Sequence, residues 1–145
     1  MSTRSSLRVQ AEVDQLAALR QFVADRARAL GVEQSAVYDL VLAANEIATN
    51  IVVHGYRGQP GEIDVELRPV DDAIEICLRD QAPPFDPTGA PTPDLTLPLH
   101  RRPRGGCGIH VTRQLMDLMI YRAPPQGGNE LTLVKRGIVG QHAQE

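Results

Sequence analysis

The chain has 145 residues, a formal net charge of -3, 42% hydrophobic and 23% charged residues, and only 3% aromatics. That length suits one domain with its own core, and the composition is that of an ordinary globular chain. A slightly acidic balance with few stacking rings argues against a general nucleic-acid binder, which needs a basic face.

In chain order, Ser6 to Ala11 reads as a short edge strand. Val13 to Leu30 repeats apolar residues at helical spacing (Val13, Leu16, Leu19, Phe22, Val23, Ala27, Leu30), and Gly31 is the expected stop. A second helix is predicted over Glu33 to His54, with Val37, Leu40, Val41, Ala44, Ile47, Ala48 and Ile51 inward and Gly55 ending it. Residues 61–70 and 73–80 alternate apolar and polar side chains about a Val70-Asp71-Asp72 turn, which predicts an antiparallel hairpin.

From Gln81 to Arg104 periodicity vanishes, and seven of the eleven prolines fall there. A loop that long in a compact domain is usually functional or mobile. Gly105-Gly106-Cys107-Gly108 then opens a third helix. Met119 to Ala123 and Glu130 to Arg136 read as two last strands about a PPQGGN turn, and 137–145 as a frayed tail. The expected architecture is a single domain over 1–145, with its core at about 6–136. It is a two-layer α/β sandwich, a mixed, mostly antiparallel sheet with helices on one face.

Three places carry possible chemistry. Glu46 and Asn50 lie one turn apart on the second helix, beside its apolar stripe. A carboxylate next to an amide oxygen can hold a hard cation such as Mg2+, or the carboxylate can take a proton from a nucleophile. The same pair also fits a plain solvated face. Asp80 follows Ile74, Ile76 and Leu78 on the inward side of its strand, where an unpaired acid is costly. It suits either a ligand amino group at a pocket floor or a local turn.

Gly105, Gly106 and Gly108 start a helix whose free N–H groups and dipole favour an anion, with Arg101, Arg102 and Arg104 just upstream. A flexible hinge is the plainer reading of the same glycines. His100, Cys107 and His110 fit no common zinc spacing, and Cys77 and Cys107 form no paired motif. The N-terminus lacks a signal stretch. No window approaches the roughly 18 consecutive apolar residues of a membrane span, so a cytoplasmic protein is expected.

The wording NEIATNIVVHGY, then DQAPPFDP, then RGGCGIHVTRQLMD resembles the GHKL (histidine-kinase-like) ATPase superfamily. Within it, the closest resemblance is to the anti-sigma-factor serine/threonine kinases of bacterial partner-switching systems. The resemblance implies a histidine-kinase-like ATPase fold, ATP and Mg2+ as cofactors, and phosphorylation of a small anti-sigma-factor antagonist on Ser or Thr. It also implies sequestration of a sigma factor and a homodimer through the sheet edge or first helix.

Carried over position by position, Glu46 is the catalytic base, and Asn50 is the Mg2+ ligand tying the metal to the phosphates. Thr49 and His54 belong to the same motif near the nucleotide. Asp80 reads the adenine amino group, Gly106 and Gly108 form the phosphate turn, and Arg104 contacts the γ-phosphate. Ala82, among the nucleotide-binding positions, stands where the family has glycine, with a methyl that would crowd the adenine or change the backbone angle. Gly128-Asn129-Glu130 stands in place of the Gly-Thr that often supports Asp80, and Thr132 is only a weak candidate to replace it. The alternative function is an ATP- or ADP-binding module that sequesters a partner without phosphoryl transfer. A detached histidine-kinase domain ranks last, because no phosphoacceptor-histidine helix is present in this sequence.

Overall fold

The computed structural model describes residues 4–89, 96 and 106–139. In chain order come strand β1 (Ser5–Gln10), a 3-10 turn (Val13–Gln15), helices α1 (Leu16–Ala29) and α2 (Gln34–Asn50), and a π-helical turn (Ile51–Tyr56) continuing α2. Strands β2 (Glu62–Val70) and β3 (Ala73–Asp80) follow, then a 3-10 turn (Pro87–Gly89), helix α3 (Gly106–Leu115), and strands β4 (Leu118–Arg122) and β5 (Asn129–Lys135).

The five strands make one sheet in the order β1-β2-β3-β5-β4, and every pairing is antiparallel. The parallel component allowed for by the sequence reading is therefore not found among the described strands. Alternation decides the faces. Ile63, Val65, Leu67, Ile74, Ile76, Leu78, Leu131 and Leu133 are buried inward. On the other face, Arg8, Asp64, Arg79, Glu130 and Arg122 stand opposite one another strand by strand, an alternating charge row across the whole sheet. Arg79 and Arg122 both reach Glu130, at 2.9 and 3.2 Å. These exposed pairs are worth little individually and keep that face wet.

Helix α1 buries Leu16, Leu19, Val23, Ala24 and Ala27. Gly31, at φ 79°, ends it as expected: its N–H donates to Arg28 O, and that of Val32 to Ala27 O. Helix α2 buries Ala36, Val37, Leu40, Ala43, Ala44, Ile47 and Ala48. The alanines let α1 and α2 approach closely over one continuous core.

Two expectations about element ends are corrected. Gly55 does not end the second helix: it lies inside the π turn, and the chain turns off at Arg57 (φ 54°) and Gly58 (φ 81°). The run Gln34–Tyr56 is, by length and composition, apolar enough to cross a membrane, and half of it is buried inside the protein. Asp39, Asn45 and Glu46 interrupt it, which is why no unbroken apolar window marks it. Finally, the tail starts ordered. The N–H groups of Ile138 and Val139 both donate to Asp72 O, at 2.9 and 3.0 Å, and Val139 joins the core.

Candidate functional site

Helix α3 packs on α2, and the contact point is a glycine. A Cβ built on Gly108 would lie 2.6 Å from Glu46 Oε2 and 3.7 Å from Asn50 Nδ2. The first turn of α3, with its free N–H groups and positive dipole end, is thereby brought onto the one-turn Glu46/Asn50 pair. Glu46 is half-buried and has no hydrogen-bond or ion-pair partner among the described residues. Asn50 Nδ2 is buried with no partner. Since the amide's oxygen and nitrogen are assigned rather than seen, the firm statement is that the fold does not use that end of the amide. Thr49, the next residue, is engaged locally: its hydroxyl donates to Asn45 O at 2.8 Å. His54 is exposed on the π turn.

Asp80 ends β3 and is only 5% exposed. Its Oδ1 accepts the Ala82 N–H and the Asn129 amide, each at 2.9 Å. Burial raises its carboxyl above the usual carboxylate range, and those two bonds pull the other way. Among the described residues Oδ2 accepts neither of these bonds.

Asn129 was not found from the sequence, and neither was the role of Tyr56. The Tyr56 hydroxyl donates to Glu62 O and accepts the Gln81 N–H, both at 2.7 Å. That side chain ties the π turn to the chain leaving Asp80. The π turn also brings Gly55 against Ala82, where a Cβ at 55 would stand 3.1 Å from the Ala82 methyl. Gly108 thus lies over Glu46 and Asn50, and Gly55 lies beside Ala82, whose N–H is held by Asp80. Single-turn π insertions in α-helices are frequent at functional sites.

A family model described as the histidine kinase-like ATPase domain matches residues 9–135. The chain belongs to the histidine-kinase-like ATPase family. Relatives include the serine-protein kinase RsbW of Bacillus cereus strain G9842, 28% identical over 115 residues, 77% of this chain and 72% of that protein. The protein of the same name from Bacillus thuringiensis subsp. konkukian matches to the same extent. The anti-sigma-factor kinase group, read from the three motifs, is therefore met by relatives bearing a kinase name. The crystal structure of the RsbU and RsbW domains of Rv1364c from Mycobacterium tuberculosis superposes with a TM-score of 0.65 at 17% identity. It covers 92% of this chain, and this chain spans 31% of that one, so the likeness is one of fold.

Within this ATPase fold, Ala82 is 2% exposed, packs at Gly55, and donates its N–H to Asp80 Oδ1. Thr132 does not support Asp80: it pairs with Cys77 in the middle of the outward face. Asn129 takes that place because β5 lies next to β3 in a register that sets Asp80 opposite Asn129. Gly128 permits it, since a Cβ there would be 2.1 Å from Asp80 O at φ 80°.

Helix α3 is held at its far end by the one lysine, Lys135, whose Nζ donates to Leu115 O at 2.6 Å and lies 3.5 Å from Asp39. Arg113 on α3 donates to the carbonyls of Pro87 and Thr88. Gly106 opens α3, whereas His100, Arg101, Arg102, Arg104 and Gly105 lie outside the described residues.

The residues fit a nucleotide with its metal ion on one observation of this structure, the unused buried amide end of Asn50 beside the first turn of α3 at Gly108. Among the described residues no cluster of three or more His, Cys, Asp or Glu side chains forms a metal cage.

Proposed function

We propose that this chain is an ATP-dependent serine/threonine protein kinase of a bacterial partner-switching system. It phosphorylates a small anti-sigma-factor antagonist and sequesters a sigma factor. The observation that carries the reading is the Glu46 carboxylate, without a partner among the described residues, set against the first turn of α3 at a glycine. A carboxylate left unpaired at a helix N-terminus, beside an unused amide, is placed for proton abstraction and phosphate contact rather than for stability.

In this reading Asp80 Oδ2 accepts the adenine amino group at the base end. The N–H groups of Gly106 to Gly108 meet the phosphate oxygens, with Arg104 contacting the γ-phosphate. Asn50 would hold Mg2+, which when bound would supply the positive charge that offsets the phosphates. Glu46 takes the proton from the antagonist's hydroxyl as that oxygen bonds to the γ-phosphorus and the bond to the ADP oxygen breaks. The new phosphate adds negative charge to a docked surface and releases the antagonist. Thr49 orients the motif through Asn45 O. The chain acts as one domain over 1–145, works in the cytoplasm with no nucleic-acid or membrane ligand, and forms a homodimer.

The test is incubation with γ-labelled ATP, Mg2+ and purified antagonist proteins. Label on an antagonist serine or threonine is the expected result. ATP binding with no transfer to any antagonist would make the chain a nucleotide-dependent sequestering module instead.

A further inference from the structure

Asn129 sits at the start of β5 with every polar atom of its side chain engaged. Its amide nitrogen donates to Asp80 Oδ1 at 2.9 Å and lies 3.3 and 3.2 Å from the carbonyls of Ala82 and Pro83. Its oxygen accepts the Phe85 N–H at 2.8 Å and the Tyr121 hydroxyl at 2.7 Å. Three acceptors on one side and a backbone donor on the other fix which end of the amide is nitrogen. The orientation is therefore set by chemistry.

The consequence falls on Asp80. Oδ1 carries two hydrogen bonds, one from Asn129 and one from the Ala82 N–H, which fills the lone pairs of one carboxylate oxygen. Oδ2 is then the single acceptor that Asp80 offers a ligand. A base of the adenine type presents one exocyclic amine beside a ring acceptor, and one oxygen satisfies it. A base of the guanine type presents two adjacent donors, which a carboxylate satisfies with both oxygens at once. With Oδ1 occupied, that bidentate grip is not available, and one guanine donor is left buried and unpaired.

We propose that Asn129 is a specificity-determining residue: by occupying Asp80 Oδ1 it restricts the site to purines read through one exocyclic amine. It acts through Asp80 and does not itself touch the base. The inference rests on the reading of Asp80 as the base-recognising carboxylate.

The experiment is calorimetric titration of the full chain with ATP and with GTP, each with Mg2+, for the wild type, Asn129→Ala and Asn129→Leu. Thermal melts establish that each variant is folded. The wild type should prefer ATP. In Asn129→Ala a lone pair on Oδ1 is released, so GTP gains its second bond and its affinity should rise about tenfold or more, the size of one charge-assisted hydrogen bond. ATP, which uses Oδ2 alone, should change much less, so the ATP:GTP ratio collapses. Asn129→Leu keeps the side-chain shape but offers no donor to Oδ1, and it should lower the ratio at least as far.

A general loss of structure would weaken both nucleotides together and leave the ratio unchanged. If either folded variant keeps the wild-type ratio while the wild type binds ATP, the inference is wrong and the reading of Asp80 stands. Equal wild-type binding of ATP and GTP overturns it as well. If the wild type binds neither nucleotide, the reading of Asp80 falls, and this inference with it.

Discussion

Gly108→Ala is the sharpest single test of how the site is built. The added Cβ would stand 2.6 Å from Glu46 Oε2, and ordinary contact begins at 3.4 Å, so that oxygen must retreat by 0.8 Å. It is the far end of a flexible side chain, so the fold can yield. The Asn50 amide, at 3.7 Å from the new methyl, need not move.

Displacing a reacting group by about 1 Å lowers rates by roughly 10²-fold, and losing a general base altogether by about 10²–10⁴-fold. The expected kcat for transfer to the antagonist is therefore about 10²-fold below wild type, with ATP affinity changed by less than about threefold. Alanine is a better helix former than glycine, so the melting temperature should hold or rise. Single-turnover transfer, calorimetry and a thermal melt measure the three quantities. Combining Gly108→Ala with Glu46→Gln should be no worse than Glu46→Gln alone, because both act on one group. Wild-type kcat in Gly108→Ala, or a fall in activity that follows a lost fold, would refute the geometry.

Asp80→Asn should weaken ATP binding by about 1.5–3 kcal/mol, the worth of a charge-assisted bond. The same change should raise the melting temperature at neutral pH. Burial lifts the folded-state carboxyl above its ordinary value of 3.8, so the stability tied to that group is full below the unfolded value and lost as pH rises through the folded one. The stability gain of the variant should shrink toward zero as pH falls below about 4. A lower melting temperature at pH 7 would contradict this. Tyr56→Phe removes the bonds to Glu62 O and Gln81 N and should destabilise by about 1–3 kcal/mol. Its ATP affinity should also fall, since the chain beside Asp80 loses its tie to the π turn; unchanged affinity would free Tyr56 of any part in the site.

What the sequence made legible was local. The Ile63/Val65/Leu67 and Ile74/Ile76/Leu78 alternations fix both strands and their inward face, and the Leu16-to-Ala27 spacing with Gly31 fixes α1. Glu46 and Asn50 were legible because four residues of helix place them together whatever else the chain does. The support of Asp80 was not. It depends on β5 lying beside β3 in a register that sets Asn129 opposite Asp80, a pairing between distant segments that no local period encodes. A Gly-Gly before Asn129 was the available signal, since only glycine tolerates the approach to Asp80 O. Gly55 misled for a related reason: a glycine near a helix end is normally a stop, but here it makes room for the Ala82 methyl and the helix widens into a π turn. Ile138 and Val139 were assigned to a frayed tail because their docking site, Asp72, is a hairpin turn far back in the chain.

The central claim is that two residues one turn apart do different work, Glu46 on the proton and Asn50 on the metal-bound phosphates. Its most direct measurement is a side-by-side comparison of Glu46→Gln and Asn50→Ala, by calorimetry with ATP and Mg2+ and by single-turnover transfer to a purified antagonist. Glu46→Gln should bind ATP as the wild type does while transfer falls by about 10²–10⁴-fold. Asn50→Ala should lose Mg2+-dependent ATP affinity together with transfer. Wild-type transfer in Glu46→Gln, or the same loss of ATP affinity in both variants, would contradict the division of labour.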